Sequence, residues 1–202
     1  MNQSSIEALV VDLGGVAARF RPERRLRALA SATRIEEHVV HERLFGSGFD
    51  HRCELGELTA AETMSAVLAA LDGTATVDAV IEAWSLAFAP DDDVLERVRT
   101  TRARRVLFTN NGPLLDACLA GPLNWLADEF DDVICSWHLR ATKPGAVAFE
   151  RAAIRLGVPA GQLLLLDDSR ANVQAAQQVG WKAAVVADVR DVEHALTQYA
   201  LR

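Results

Sequence analysis

Of the 21 lysines and arginines in this 202-residue chain only two are lysine, Lys143 and Lys182. The arginines are scattered and the net charge is -7, so no basic stripe exists to follow a nucleic-acid backbone. Cysteine is equally scarce. Cys53, Cys118 and Cys135 are odd in number and far apart, which excludes a disulfide framework and the close pairs of a zinc or redox motif. They are expected to be buried thiols in a reducing compartment. No apolar run approaches the ~20 residues of a membrane span, and Met1 to Ser5 show no basic n-region followed by an apolar segment. The expectation is a cytoplasmic protein with no membrane and no nucleic-acid partner.

What remains is the balance of a folded soluble domain: 50% of residues are apolar and 24% charged. A chain of this length buries one good core with room for a modest insert. Its first marked stretch is Leu9, Val10, Val11, Asp12, Leu13, Gly14, Gly15 and Val16. An apolar run that stops at one carboxylate and two glycines reads as a buried strand delivering an acid to a tight, open turn.

From Pro22 to Phe88 the pattern turns helical, with Pro22 suited to a helix start. Two pairs carry the spacing of a capping box, Thr33 with Glu36 and Thr59 with Glu62. The segment reads as a helical insert after the first strand, with no strand of its own. Asp91 to Arg102 reads as a further helix. Val106 to Phe108 resume the strand pattern and stop at Thr109, and Val133 to Cys135 make a short strand. Lys143, Pro144 and Gly145 precede a helix running to Leu156. Leu163 to Leu166, the most apolar run, ends at Asp167 and Asp168 and suits a strand buried on both faces. A helix from Ala171 to Val179, a strand from Ala183 to Val186 and a last helix complete the chain.

Strands alternating with helices imply a parallel sheet with right-handed crossovers. Its strands share a direction, so Asp12, Thr109 and the pair Asp167 and Asp168 fall at one carboxyl edge, where open α/β sheets bind ligands. Each has an ordinary alternative. Asp12 can bond to its own turn, Thr109 and Asn110 can cap a helix, and Asp167, Asp168 or Ser169 can do likewise. One cap, however, needs one acid. Two adjacent carboxylates repel each other unless one is protonated or a cation binds, and Mg2+ suits carboxylates, water and a phosphate. Lys143 is either a solvated turn lysine or a compact ammonium set between a phosphate and an anionic nucleophile.

These segments together resemble the haloacid dehalogenase superfamily over almost the whole chain. Asp12-Leu13-Gly14-Gly15-Val16 resembles its nucleophile motif, Thr109-Asn110 its hydroxyl motif, Lys143-Pro144 its lysine motif, and Asp167-Asp168-Ser169 with Asn172 its acidic metal motif. The Asp-Leu-Gly opening is most similar to small sugar-phosphate phosphatases. The resemblance implies an α/β fold, a Rossmann-like parallel sheet flanked by helices, with residues 1–17 and 89–202 as core and residues 18–88 as a small α-helical cap. It implies a Mg2+-dependent phosphatase of a small phosphorylated metabolite, acting as a monomer or homodimer. Asp12 would be the nucleophile forming an aspartyl-phosphate. Thr109 and Lys143 would be catalytic, binding substrate together with Asn110, and Asp12, the Gly14 carbonyl, Asp167 and Asp168 would form the metal site.

One position departs from the pattern. Most phosphatases of the superfamily carry an acid/base Asp two residues after the nucleophile, and this chain has Gly14. A positioned acid or base is worth ~100- to 10,000-fold in rate. Three explanations follow: a substrate with a good leaving group, a substitute such as His51 or His138, or a protein that binds phosphorylated ligands without turnover. The metal-independent 2-haloacid dehalogenases also lack that Asp, but they have no use for an acidic metal motif.

Overall fold

A computed structural model describes residues 5–201; residues 1–4, within the segment read for targeting signals, and residue 202 lie outside it. Among the described residues seven strands form. They are β1 (Ala8–Val11), β2 (Ala18–Phe20), β3 (Phe88–Pro90), β4 (Arg104–Thr109), β5 (Asp132–Cys135), β6 (Leu163–Asp167) and β7 (Lys182–Val185). The central sheet is wholly parallel in the order β5-β4-β1-β6-β7. Strand alternation sends Leu9, Val11, Leu107, Leu164 and Leu166 into one core, and Ala8, Val10, Val106, Phe108 and Leu165 into the other. With all four leucines of β6 inaccessible to solvent, both faces are covered, as a parallel sheet requires.

The helices are α1 (Pro22–Thr33), α2 (Glu37–His41), α3 (Phe49–Glu54), α4 (Ala60–Ala70), α5 (Val77–Ser85), α6 (Asp92–Arg99), α7 (Leu114–Leu119), α8 (Leu126–Glu129), α9 (Ser136–Leu139), α10 (Ala146–Leu156), α11 (Arg170–Gln178) and α12 (Val189–Gln198). A single π-helical turn, Glu42–Gly46, joins α2 toward α3. No helix among the described residues is long and apolar enough to cross a membrane. The first five helices enter and leave through β2 and β3, which pair antiparallel beside the main sheet. Leu29, Val40, Leu44, Val67 and Trp84 of this block join the same apolar cluster as Leu9, Val11 and Leu166, so the block shares the core of the sheet.

Three local expectations are corrected. The β2–β3 ribbon has three residues a side, too short for a periodic signal, and it closes through pairing across the whole helical block. Thr33 and Glu36 form no capping box. Thr33 is the last residue of α1, its hydroxyl donates to the Leu29 carbonyl, and Arg34 in the left-handed region (φ 60°) ends the helix there. The helix expected over Asp91 to Arg102 spans only Asp92–Arg99. Thr59 and Glu62 do form their box, each side chain bonding the other's backbone N–H.

Candidate active site

The sheet register explains why distant residues meet. Val11 of β1 is flanked by Leu107 of β4 and Leu166 of β6. Asp12, Thr109, Asp167 and Asp168 therefore leave the sheet at the same edge within two residues of one register line. Past Asp12 the chain folds back: Ala17 N–H donates to the Asp12 carbonyl at 3.1 Å and Ala18 N–H to the Leu13 carbonyl at 2.7 Å.

Lys143 is the centre of the charge arrangement. Its ammonium donates to Asp12 Oδ1 at 2.7 Å, to Asp167 Oδ2 at 2.7 Å and to the Phe108 carbonyl at 2.8 Å. All three donors are used and its side chain is 1% exposed, so it is no solvated turn lysine. Burial alone disfavours its charge, but Asp12 and Asp167 outweigh that and hold the pKa above the ordinary lysine value. The lysine loop is fixed in turn by Asn110, whose Nδ2 donates to the Lys143 carbonyl at 2.8 Å and whose Oδ1 accepts from Lys143 N–H at 2.9 Å. Thr109, 3% exposed, accepts from Asn111 Nδ2 at 2.8 Å.

The two adjacent acids have separate surroundings. Asp167 is fully buried; it accepts from Ser169 N–H, from both contacts of Asn172 Nδ2 and from Lys143. The cap of α11 is Ser169, which accepts from Asn172 N–H, so neither acid is needed for capping. Asp168 is exposed and presses on Gly15, whose φ of +91° only glycine adopts readily. Ligand oxygens of Asp12, Asp167 and Asp168 lie within 4.8 Å of one another. Partial desolvation first, then the charge of Asp167, raise the pKa of Asp168 although the residue as a whole is exposed. Asp12 is pushed up to about 6, chiefly by burial and by its two acidic neighbours, against the pull of Lys143.

Three carboxylates thus face one ammonium, a deficit of positive charge that a divalent cation would balance. The donor set is hard oxygen throughout, which fits Mg2+ rather than a thiophilic metal.

Above this edge lies a cavity of about 320 Å3. Asp12, Gly14, Thr109, Asn110 and Lys143 of the sheet edge and its loops line it. So do residues that the motifs did not single out: Arg25 of α1 and Asp50 and Glu54 of α3, with Phe20 and Phe88 of the ribbon. Arg25 is 4% exposed. Its guanidinium stacks 4.3 Å from the Trp84 ring centroid, with Phe45, Phe88 and Phe20 within 6.0 Å. Among the described residues its Nε and Nη2 have no hydrogen-bond partner, and burial lowers its pKa to about 10. The one sequence signal was positional: Arg25 sits on the buried stripe of α1 with Leu29 and Thr33, where the helical period calls for an apolar side chain.

Neither candidate histidine lines the cavity. His51 stands behind Glu54, with Nδ1 3.6 Å from Glu54 Oε2. His138 bonds Asp116 at 2.9 Å and lines a separate depression with Trp137 and Arg155.

A family model for haloacid dehalogenase-like hydrolases matches residues 6–180. A search of curated protein sequences gives no match. Among solved structures, a predicted HAD-like family hydrolase from Porphyromonas gingivalis superposes with a TM-score of 0.78 at 21% identity, covering 98% of this chain and all of its own. A HAD family enzyme from Bacteroides thetaiotaomicron, in complex with magnesium and inorganic phosphate, gives 0.70 at 20% identity over 90% of this chain and 94% of its own. The L-2-haloacid dehalogenase of Xanthobacter autotrophicus gives 0.62 at 21% identity over 90% and 78%. At these identities the likeness is one of fold.

Proposed function

The chain belongs to the haloacid dehalogenase-like hydrolases, and from that premise we propose that it is a Mg2+-dependent phosphatase of a small phosphorylated metabolite. The observation that carries the reading is the surplus of carboxylates around Lys143. Ligand oxygens of Asp12, Asp167 and Asp168 lie within 4.8 Å of one another while a single ammonium bonds only the first two, which suits a cation and then a phosphate. The same surplus would repel a 2-haloacid, and this sets the phosphatase reading above the dehalogenase one.

Asp12 is the nucleophile. Its carboxylate attacks phosphorus, the bond to the leaving oxygen breaks, and water then releases phosphate from the aspartyl-phosphate. Lys143 orients Asp12 and offsets charge on the phosphoryl group, and Thr109 offers its hydroxyl to a phosphoryl oxygen. Asp167, with both oxygens already engaged, holds the lysine. Asp12, Asp168 and the Gly14 carbonyl would hold Mg2+, which supplies charge neutralisation to the transferring group. The helical block over residues 18–88 acts as a cap, and its Arg25 reaches the part of the substrate that departs.

The test is phosphate release from a panel of aryl, sugar and acyl phosphates. Release is expected with Mg2+, and is expected to vanish with chelator and in Asp12→Asn. A folded protein silent across that panel overturns the reading.

A further inference from the structure

We propose that Glu54, supplied by α3 to the cavity that Asp12 lines, is the proton donor and acceptor that Gly14 does not provide. The inference rests on the phosphatase reading. Glu54 and Asp12 line the same cavity, and so does Gly14. The nearest atoms that a Cβ built on Gly14 would meet belong to the Phe20 side chain, at 3.5 Å or more, an ordinary contact. The backbone therefore does not forbid an acid at position 14; the acid is simply elsewhere.

The end of α3 is clamped to the sheet domain at this point. Ser136 Oγ donates to the Glu54 carbonyl at 2.8 Å and accepts from Asn111 N–H at 3.1 Å. Asn111 in turn donates its side-chain amide to Thr109. A short chain of hydrogen bonds thus ties the backbone of Glu54 to the hydroxyl that faces the phosphoryl group. Two residues on, Gly56 lies so close to α9 that a Cβ would come within 2.5 Å of the Trp137 carbonyl. These contacts fix the backbone that carries Glu54 at the cavity, a precondition for positioned proton transfer.

Its surroundings suit both halves of the reaction. Burial first, then the neighbouring Asp50, raise its pKa to about 7, against the opposing pull of His51 on the same helix and of Arg25 on α1. Near neutral pH both forms are populated. In the first half-reaction Asp12 forms its bond to phosphorus while the P–O bond to the leaving group breaks, and the departing oxygen takes the Glu54 proton. In the second, Glu54 carboxylate takes a proton from water as its oxygen attacks phosphorus and the bond to Asp12 breaks. The proton is returned and Asp12 is regenerated.

The experiment compares wild type with Glu54→Gln at saturating Mg2+ on two probes, 4-nitrophenyl phosphate with a good leaving group and β-glycerol phosphate with a poor one. In kcat/KM the variant is expected to lose ~100-fold or more on β-glycerol phosphate and less than ~10-fold on 4-nitrophenyl phosphate. The fall of the wild-type profile above pH 7 is expected to flatten in the variant. Because both probes are read on the same sample, partial unfolding cancels in their ratio. Equal losses on the two, or none, overturn the assignment while leaving the phosphatase standing. A wild type that releases phosphate from neither probe nor from the panel above overturns both.

Discussion

The carboxylate of Asp168 occupies the space that any side chain at Gly15 would need: a Cβ built there falls 2.3 Å from Asp168 Oδ2. With φ at +91°, the position is closed to other residues on two independent grounds. Gly15→Ala is expected to cost at least ~1 kcal/mol from backbone strain alone and to push Asp168 out of place. Urea denaturation checks the first effect. Titration with Mg2+ by calorimetry checks the second, where weaker binding than wild type is expected.

Lys143 is the shared counter-charge of Asp12 and Asp167, and its removal would leave them without one. Lys143→Met is therefore expected to destabilise the fold by ~3–5 kcal/mol at pH 7, since a broken buried pair leaves uncompensated charge. Denaturation midpoints measured at pH 7 and pH 5 should differ less from wild type at the lower pH, where Asp12 takes up a proton.

Asp12 binds a proton more tightly in the folded chain, at about 6 against an ordinary 3.8. Between those values Asp12 holds more proton in the folded state than in the unfolded one, so its contribution to stability falls as pH rises through this window and is level above it. Metal-free protein is expected to lose roughly 2–3 kcal/mol across it. Asp12→Asn should remove that part of the slope, while the contribution of Glu54, raised in the same sense, remains. Mg2+ competes with the same proton, so its affinity is expected to rise with pH through about 6.

Arg25 carries a buried charge whose Nε and Nη2 have no partner among the described residues. Stability alone would favour an apolar side chain there. Arg25→Met is expected to keep or raise the denaturation midpoint while raising KM for the preferred phosphate substrate. A midpoint that falls with KM unchanged would mark Arg25 as a packing residue held by its aromatic neighbours.

In Gly14→Asp the added Cβ comes no closer than 3.5 Å to Phe20, an ordinary contact. Introduced into Glu54→Gln, it is expected to restore part of the rate on β-glycerol phosphate, read as phosphate released at saturating Mg2+.

The sequence by itself determined the parallel sheet and the residues at its edge. Strands β1, β4 and β6 announce themselves by apolar runs, and once they are parallel, Asp12, Thr109 and Asp167 must emerge together, because strand direction is a consequence of helical crossovers. Lys143 was legible from its rarity and its place beside Pro144. Only the tertiary structure decided how the two adjacent acids divide, with Asp167 buried on Lys143 and Asp168 against Gly15, since both stand at the end of one apolar run and the run does not say what packs over each. It alone placed Arg25, Asp50 and Glu54 at the cavity that Asp12 lines and paired β2 with β3. Those arrangements depend on how the helices of residues 22–85 seat on the sheet, and that seating is set by long-range packing of Trp84, Leu29 and their neighbours, which leaves no periodic mark in the chain.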